Sequence, residues 1–378
     1  PQSPSVEGRQ PAGGPWPEGH ATPAVGHPAG PQGAPQTFIK QEPPVTRMPW
    51  LTPALEPFAQ ALDQGRLPHA TLIHGERGVG KRQLAESIAA LLVCDQRTEG
   101  SREACGQCRQ CLLVAGESHP DIRVYQPEKS RMIRIDQVRA LSQFAVASPQ
   151  VAGLKVAVVD RADQLNINAA NALLKTLEEP ASDVVLLLLQ ETGRPVLPTI
   201  RSRCRIMPVP TPPAAEAASW LFARLEERED APETDQQALA LHLAGGAPRL
   251  ALELLDTGFL EQRESALDAF RQFMKGAVSV ATAARAFRSL GHGATLNLME
   301  GWANDLARSM AGGEPRDPGI AEVVRYLASG NPPWRAQELV DAIRESRRAL
   351  VNNVNPELET DRLLIQWRSL MPRRKRAG

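Results

Sequence analysis

Aromatic residues are scarce in this chain of 378 residues, Phe, Trp and Tyr together making up 4% of it. Cores built mainly from rings are not expected. The 42% of hydrophobic residues instead point to Leu, Ala and Val packing, which suits helices. An excess of either charge is also missing, with 43 Lys+Arg against 43 Asp+Glu, so a strongly basic nucleic-acid coat is not expected. The longest uncharged apolar candidate, Val184 to Leu189, falls far short of the ~20 residues of a membrane span, and no membrane partner is expected. The sequence does not open on a basic stretch followed by an apolar one, so these residues carry no secretory signal, and a soluble, cytoplasmic protein is expected. Cysteines number five, an odd count for a disulfide framework. Four of them crowd between Cys94 and Cys111, which in a reducing compartment favours a metal site.

What is abundant is organised in blocks. The first 46 residues are dense in Pro, Gly, Ala and Gln with few large apolar side chains, and a disordered tail is expected because little surface can be buried there to offset the entropy of ordering. From 47 to about 210, short apolar runs alternate with stretches of helical periodicity, the pattern of an α/β domain with a parallel sheet. The expected strands are Ala70–His74, Asp121–Tyr125, Val156–Asp160, Val184–Leu189 and Arg205–Val209. Helical spacing marks Leu84, Ile88, Leu91 and Leu92, and again Ala170, Leu173, Leu174 and Leu177 ahead of Pro180. The Pro-Val-Pro-Thr-Pro-Pro run at 208–213 reads as a linker. Beyond it, 211–256 has room for three short helices and 257–371 for a second helical unit, with a basic tail at 372–378 that is by default solvated.

Chemistry concentrates in four places. Gly75-Glu76-Arg77-Gly78-Val79-Gly80-Lys81 follows an expected strand and opens an expected helix, matching the phosphate-binding loop G-x-x-x-x-G-K-[ST] up to its last position. Gly75, Gly78 and Gly80 let backbone N–H groups turn toward phosphate, the helix N-terminus adds its dipole, and Lys81 supplies charge. Position 82 is Arg, so the hydroxyl that would hold Mg²⁺ is absent and phosphate binding is better supported than hydrolysis. A tight glycine turn carrying a surface lysine is the plain alternative. Asp160 ends the third expected strand, where an acid would face a nucleotide across the sheet edge, or would simply cap a turn. Cys94, Cys105, Cys108 and Cys111 form C-x10-C-x2-C-x2-C, whose spacing lets four thiolates close a tetrahedron around a structural Zn²⁺; free thiols or an iron–sulfur cluster are the other readings. Arg203, in Ser202-Arg203-Cys204, precedes the last expected strand. From composition alone it is a surface arginine among Arg201 and Arg205.

The order of these features, together with His119-Pro120-Asp121, Val158-Val159-Asp160 and Asn171-Ala-Leu-Leu-Lys-Thr-Leu-Glu-Glu-Pro180, resembles the bacterial clamp-loader family of AAA+ proteins over about Pro49 to Pro210. Within that family the pattern is most similar to its delta-prime members, because position 82 and position 161, where a hydrolysing subunit is expected to carry a hydroxyl and a Glu, are both Arg. The resemblance implies an AAA+ domain with a zinc module, then a helical lid and an all-α collar that joins subunits in a pentameric ring. It implies that Arg203 is an arginine finger acting in trans, that Arg249 lies near the sensor-2 position and Thr192 near sensor 1, and that ATP is a possible ligand here with hydrolysis doubtful. The implied partners are the tau/gamma motor and delta subunits, and through the complex the sliding clamp and primer-template DNA. A hydrolysing motor of the same family would need a hydroxyl at 82 and an acid at 161. A zinc-dependent nucleic-acid regulator would need aromatic and basic residues around the four cysteines, where Arg97, Arg102 and Arg109 stand beside Glu99 and Glu103 without an aromatic.

Overall fold

The computed structural model describes residues 48–128, 132–226, 228–349 and 355–371. The expected tail over 1–46 and the basic tail over 372–378 lie outside the described residues. Each segment expected as a strand is one: β1 (Ala70–Gly75), β2 (Ile122–Tyr125), β3 (Lys155–Val159), β4 (Val184–Glu191) and β5 (Arg205–Pro208). All ladders are parallel and the order across the sheet is β2-β3-β4-β1-β5. Strands of a parallel sheet are covered on both faces and so read as unbroken apolar runs rather than alternating ones. In β4 the alternation survives as a division of labour. Val185, Leu187 and Leu189 join Ile73, Val156 and Val158 on one face, while Val184, Leu186 and Leu188 join Leu72, Ala157 and Val159 on the other. Each fully buried Leu of this kind contributes about 1.5–3 kcal/mol.

The first face is covered by α1 (Thr52–Asp63), α2 (Lys81–Val93) and the short α3 (Arg109–Ala115). The second is covered by α4 (Ile135–Val146) and α5 (Ile167–Glu178). Lys155 at the start of β3 is buried, and its Nζ donates to the carbonyls of Phe144 at 2.8 Å and Ala145 at 3.0 Å, satisfying acceptors that the end of α4 leaves open. A single helical turn, α6 (Pro198–Arg201), leads into β5. After the proline-rich link come α7 (Ala214–Leu225), α8 (Thr234–Leu243) and α9 (Pro248–Asp256), the three short helices expected there. Their buried residues, Trp220, Leu221, Ala240 and Ala251 among them, share one core with Leu84 and Ile88 of α2.

The remaining described helices are α10 (Phe259–Lys275), α11 (Val280–Phe287), α12 (His292–Met310), α13 (Ala321–Gly330), α14 (Trp334–Ala349) and α15 (Pro356–Ser369). They surround a separate core in which Phe270 lies 4.9 Å from the Trp302 ring and 5.4 Å from the Trp367 ring. Four of the few aromatics, Phe270, Phe287, Trp302 and Trp367, thus pack together here. No single helix among the described residues is long and apolar enough to cross a membrane.

Candidate functional site

The glycine loop lies where a phosphate loop should, between the C-terminal end of β1 and the first turn of α2. Gly78 and Gly80 have φ of +81° and +99°, backbone that other residues enter only with strain. Its surroundings, however, are filled. Lys81 Nζ turns back on its own loop and donates to the carbonyls of Gly75 at 2.8 Å and Glu76 at 2.7 Å. Burial pulls the ammonium below its ordinary pKa, against the opposing pull of Glu191, Asp160 and Asp163. A Cβ on Gly78 would run into the backbone nitrogen and side chain of Leu250, and one on Gly80 into the sulfur of Met48 and the methyls of Leu51. Trp50 Nε1 donates to Val79 O at 2.8 Å, and its ring meets Trp220 edge-on at 6.1 Å. The loop is therefore pressed from one side by residues just ahead of α1 and from the other by α9.

Helix α9 is tied to the loop in three ways. The Arg249 amide donates to Gly78 O at 3.1 Å, Leu250 packs on Gly78, and Glu253 pairs with Arg77 at 2.6 Å. Arg249 is thus brought to the loop through its main chain, at the residue where Pro248 starts the helix. Thr192 also reaches the loop by its backbone, donating to Gly75 O at 3.0 Å.

Arg82 extends from the first turn of α2 across to the end of β3. Its Nη1 lies 2.8 Å from Asp160 Oδ2 and 3.3 Å from Gln126 Oε1, and its Nε lies 2.8 Å from Glu86 Oε1. Asp160 is thus brought beside the loop, as its place at a strand end requires, but the cation facing it is a guanidinium. Arg161 is held at a left-handed φ of 69° and its Nη2 pairs with Glu191 Oε2 at 3.1 Å. Glu191 is bracketed from the other side by Arg194 at 3.3 Å. The sequence marks Arg82 as a lost hydroxyl; its role as a counter-ion spanning 78 positions is legible only in three dimensions.

The four cysteines converge. The Sγ atoms of Cys94, Cys105, Cys108 and Cys111 all lie within 4.8 Å of one another, and the pairs Cys94–Cys108 and Cys105–Cys111 stand 3.9 Å apart. A tetrahedron with metal–sulfur distances of about 2.3 Å has edges of about 3.8 Å, so the donor set fits a single ion such as zinc. Backbone amides already face the sulfurs: Cys105 N to Cys94 Sγ at 3.2 Å and Cys108 N to Cys105 Sγ at 3.3 Å. Burial opposes ionisation of Cys108, yet amides of Cys111 and Asp95 and neighbouring thiols bring it down to about 6, while burial pushes Cys111 up.

The four-cysteine module is fastened to the sheet by Gln110, which no sequence motif marks, and by His119 and Asp121 of the His119-Pro120-Asp121 run. Gln110, beside Cys111 on α3, donates from Nε2 to Val151 O at 2.6 Å, and its Oε1 lies 3.0 Å from His119 Nε2. His119 Nδ1 accepts the Asp121 amide at 3.1 Å. These partners assign the neutral, Nε2–H tautomer. The Asp121 carboxylate takes the amides of Gln150, Val151 and Ala152 at 2.7, 2.7 and 2.8 Å.

Arg203 is not part of the glycine-loop site. Thr71 of β1 is level with Arg205 of β5 in the parallel ladder, so Arg203 lies at the N-terminal edge of the sheet while Gly75 ends β1 at the C-terminal edge. The rise from Thr71 to Gly75 alone spans about 13 Å along the strand. The guanidinium is half-exposed. Its Nη2 pairs with Glu178 Oε1 at 2.6 Å and its Nη1 donates to Thr199 O at 2.9 Å, with Ser202 Oγ at 3.5 Å. Cys204 is buried in the core facing α5, and burial raises its thiol to about 11.

A family model described as DNA polymerase III, delta subunit, matches residues 51–213. A DNA polymerase III subunit delta' of Pseudomonas aeruginosa is 35% identical over 327 residues, which is 83% of this chain and 97% of its own length. One from Escherichia coli is 35% identical over 218 residues, 57% of this chain and 63% of its own. Among solved structures, a DNA polymerase III gamma subunit-related protein of Thermotoga maritima aligns over 83% of this chain and 98% of that chain, with 18% identity and a TM-score of 0.39.

Proposed function

Since the chain belongs to the DNA polymerase III subunit delta' family, we propose that it is the stator of a clamp loader, donating Arg203 to an ATP site on a neighbouring subunit and hydrolysing no ATP itself. The observation that carries this reading is the opposition of two arginines. Arg82 fills the cation position of the chain's own phosphate loop, while Arg203 stands half-exposed at the opposite edge of the sheet, out of reach of that loop. A guanidinium at such an edge meets a γ-phosphate only if another subunit presents it. There it would offset charge developing on the transferred phosphoryl group in the transition state.

On this reading Lys81, Met48, Leu51 and Leu250 keep the glycine loop closed as a structural turn, and Gly75, Gly78 and Gly80 serve its geometry rather than a bound nucleotide. Asp160 and Arg249 likewise hold loop and lid together. A zinc ion on Cys94, Cys105, Cys108 and Cys111 would cross-link the segment between α2 and α3 without taking part in chemistry. The subunit works in the cytoplasm within a five-membered ring of tau/gamma, delta and delta-prime chains, whose residues 211–256 form its lid and 257–371 its collar, and the ring places a sliding clamp on primed DNA.

The test is steady-state ATPase activity with clamp and primed DNA. The isolated chain is expected to be silent. The assembly carrying Arg203→Ala is expected to turn over several-fold more slowly than wild type; in a ring with several sites the loss is smaller than the ~10³–10⁵ of a single-site GTPase finger. Turnover by the isolated chain would overturn the stator reading, and an unaltered Arg203→Ala assembly would remove the finger from it.

A further inference from the structure

Glu178 is the last residue of α5, a position where the helix dipole disfavours an acid, and Glu179 and Pro180 follow directly. Helix ends normally recruit cations. Here the cation is Arg203, whose Nη2 lies 2.6 Å from Glu178 Oε1, the two side chains being 35% and 47% exposed. The guanidinium has five N–H donors. Its contacts are Glu178, Thr199 O at 2.9 Å and Ser202 Oγ at 3.5 Å, all on a side chain that is 35% exposed.

We propose that Glu178 is an exchangeable counter-ion for Arg203, holding the finger in reserve until the terminal phosphate of a neighbour's nucleotide displaces the carboxylate. The proposal rests on the reading of Arg203 as a finger in trans. A guanidinium fork accepts a carboxylate or a phosphate with the same geometry, so the two anions compete for one set of donors. While Glu178 is bound, the local charge of the pair is zero and the field that Arg203 projects across the interface is weak. When the phosphate takes the donors, the full positive charge acts on it. Thr199 O, which is uncharged, stays as the pivot that keeps the guanidinium at the edge during the exchange.

An exposed ion pair of this kind changes an equilibrium by about two- to fivefold, and salt screens it. The experiment measures ATPase activity against ATP concentration for the reconstituted loader with clamp and primed DNA, using Glu178→Gln, Arg203→Ala and the double variant. Glu178→Gln keeps the shape and removes the charge. It is expected to lower KM for ATP about two- to fivefold at low ionic strength, with the difference shrinking as salt rises, and to have no effect when Arg203 is already Ala. A KM that is unchanged or raised, or one that falls equally in the Arg203→Ala background, overturns the proposal while leaving the finger in place. An Arg203→Ala assembly that matches wild type sinks the finger reading itself, and with it this one. Because Glu178→Gln also removes an acid from a helix end, any gain in thermal stability is read separately on the isolated chain.

Discussion

Arg82 Nη1 lies 2.8 Å from Asp160 Oδ2, and the same guanidinium holds Glu86 through Nε at 2.8 Å. Two carboxylates, one just past β3 and one in α2, are thus bound by a single side chain. In a phosphate loop that works with a divalent ion, the hydroxyl at this position and the acid at the strand end address the metal. Here the positive charge is part of the polypeptide.

Restoring the motif should therefore not restore its activity. Arg82→Ser supplies the missing hydroxyl but strips Asp160 and Glu86 of their partner, and leaves Lys81 bonded to Gly75 and Glu76. The expected result is a loss of about 1–3 kcal/mol in stability, with no gain of ATP binding by the isolated chain. Urea denaturation and titration with a fluorescent ATP analogue measure the two effects. Tight, Mg²⁺-dependent nucleotide binding by the variant would show that Arg82 alone had closed the site.

Gly78→Ala tests the contact between loop and lid. The added methyl would strike Leu250 at a backbone φ of +81°, so α9 must move or the loop must refold, at about 1–3 kcal/mol. Gly193→Ala, at a φ of +79° where a Cβ meets nothing within 4 Å, is the matched control and should cost the backbone strain alone, about 1 kcal/mol. Equal effects from the two substitutions would mean that α9 does not rest on the loop.

Much of this arrangement was legible in the residue order. β1, β3 and β4 were readable because strands covered on both faces demand apolar runs, and each observed strand boundary falls within two residues of the expected one. The four cysteines announced themselves by spacing. What could not be read were contacts between distant segments. Trp50 reaches Val79 across 29 positions and Arg77 reaches Glu253 across 176. Lys81 looks like a phosphate ligand in the motif, and only the carbonyls around it reveal where its donors go. Glu178 was visible as one letter of a family-like run, with nothing local to couple it to Arg203. The roles of Gln110 and His119 were hidden for the same reason, since polar anchors carry no periodicity.

Zinc content provides a third prediction. The purified chain should carry about one zinc ion, and Cys111→Ser should lose most of it. Because Gln110 next to Cys111 is bonded to Val151 and His119, loosening α3 also loosens the edge of the sheet at β2. Chelation should therefore speed proteolysis both within 94–111 and near 148–153. Cleavage confined to the first segment would show that the module is not mechanically joined to the second.

Stability should fall on mild acidification. Burial holds His119 below its ordinary 6.5, against the pull of Asp121 and Asp95, so the unfolded chain takes up a proton that the folded chain resists. Between the ordinary value and the depressed one, the unfolded state binds more protons and stability rises with pH. The contribution is complete above 6.5 and is lost as pH falls toward the lowered value. His119→Asn keeps an acceptor for the Asp121 amide and removes the titration. Urea midpoints measured from pH 7.5 down to 5.5 should accordingly show a shallower slope in the variant, and identical slopes would exclude His119 as the source.

The helical half offers a harsher test. Arg263 is buried and paired with Asp317, whose second oxygen accepts from Trp302 Nε1 at 3.0 Å. Asp317→Asn leaves the buried guanidinium only the exposed Glu264 carboxylate at 3.6 Å, a loss of up to about 3–5 kcal/mol. Calorimetry should show the helical half melting first in this variant. A loss below about 1 kcal/mol would mean water reaches Arg263.

Helix α5 gives the proposed role a direction. It starts just past Asp160 and Arg161, where Asn166 Oδ1 accepts the Ala169 amide at 2.8 Å, and its 12 residues carry it about 18 Å to Glu178. One rod therefore connects the end of β3 beside the glycine loop to the edge where Arg203, the proposed finger, is held by Glu178. With Arg82 fixed at the loop end, that rod has nothing to report. In a ring of otherwise cycling subunits, this one would listen to its neighbour's nucleotide and send no message of its own, which gives the cycle a fixed point from which the others can be counted.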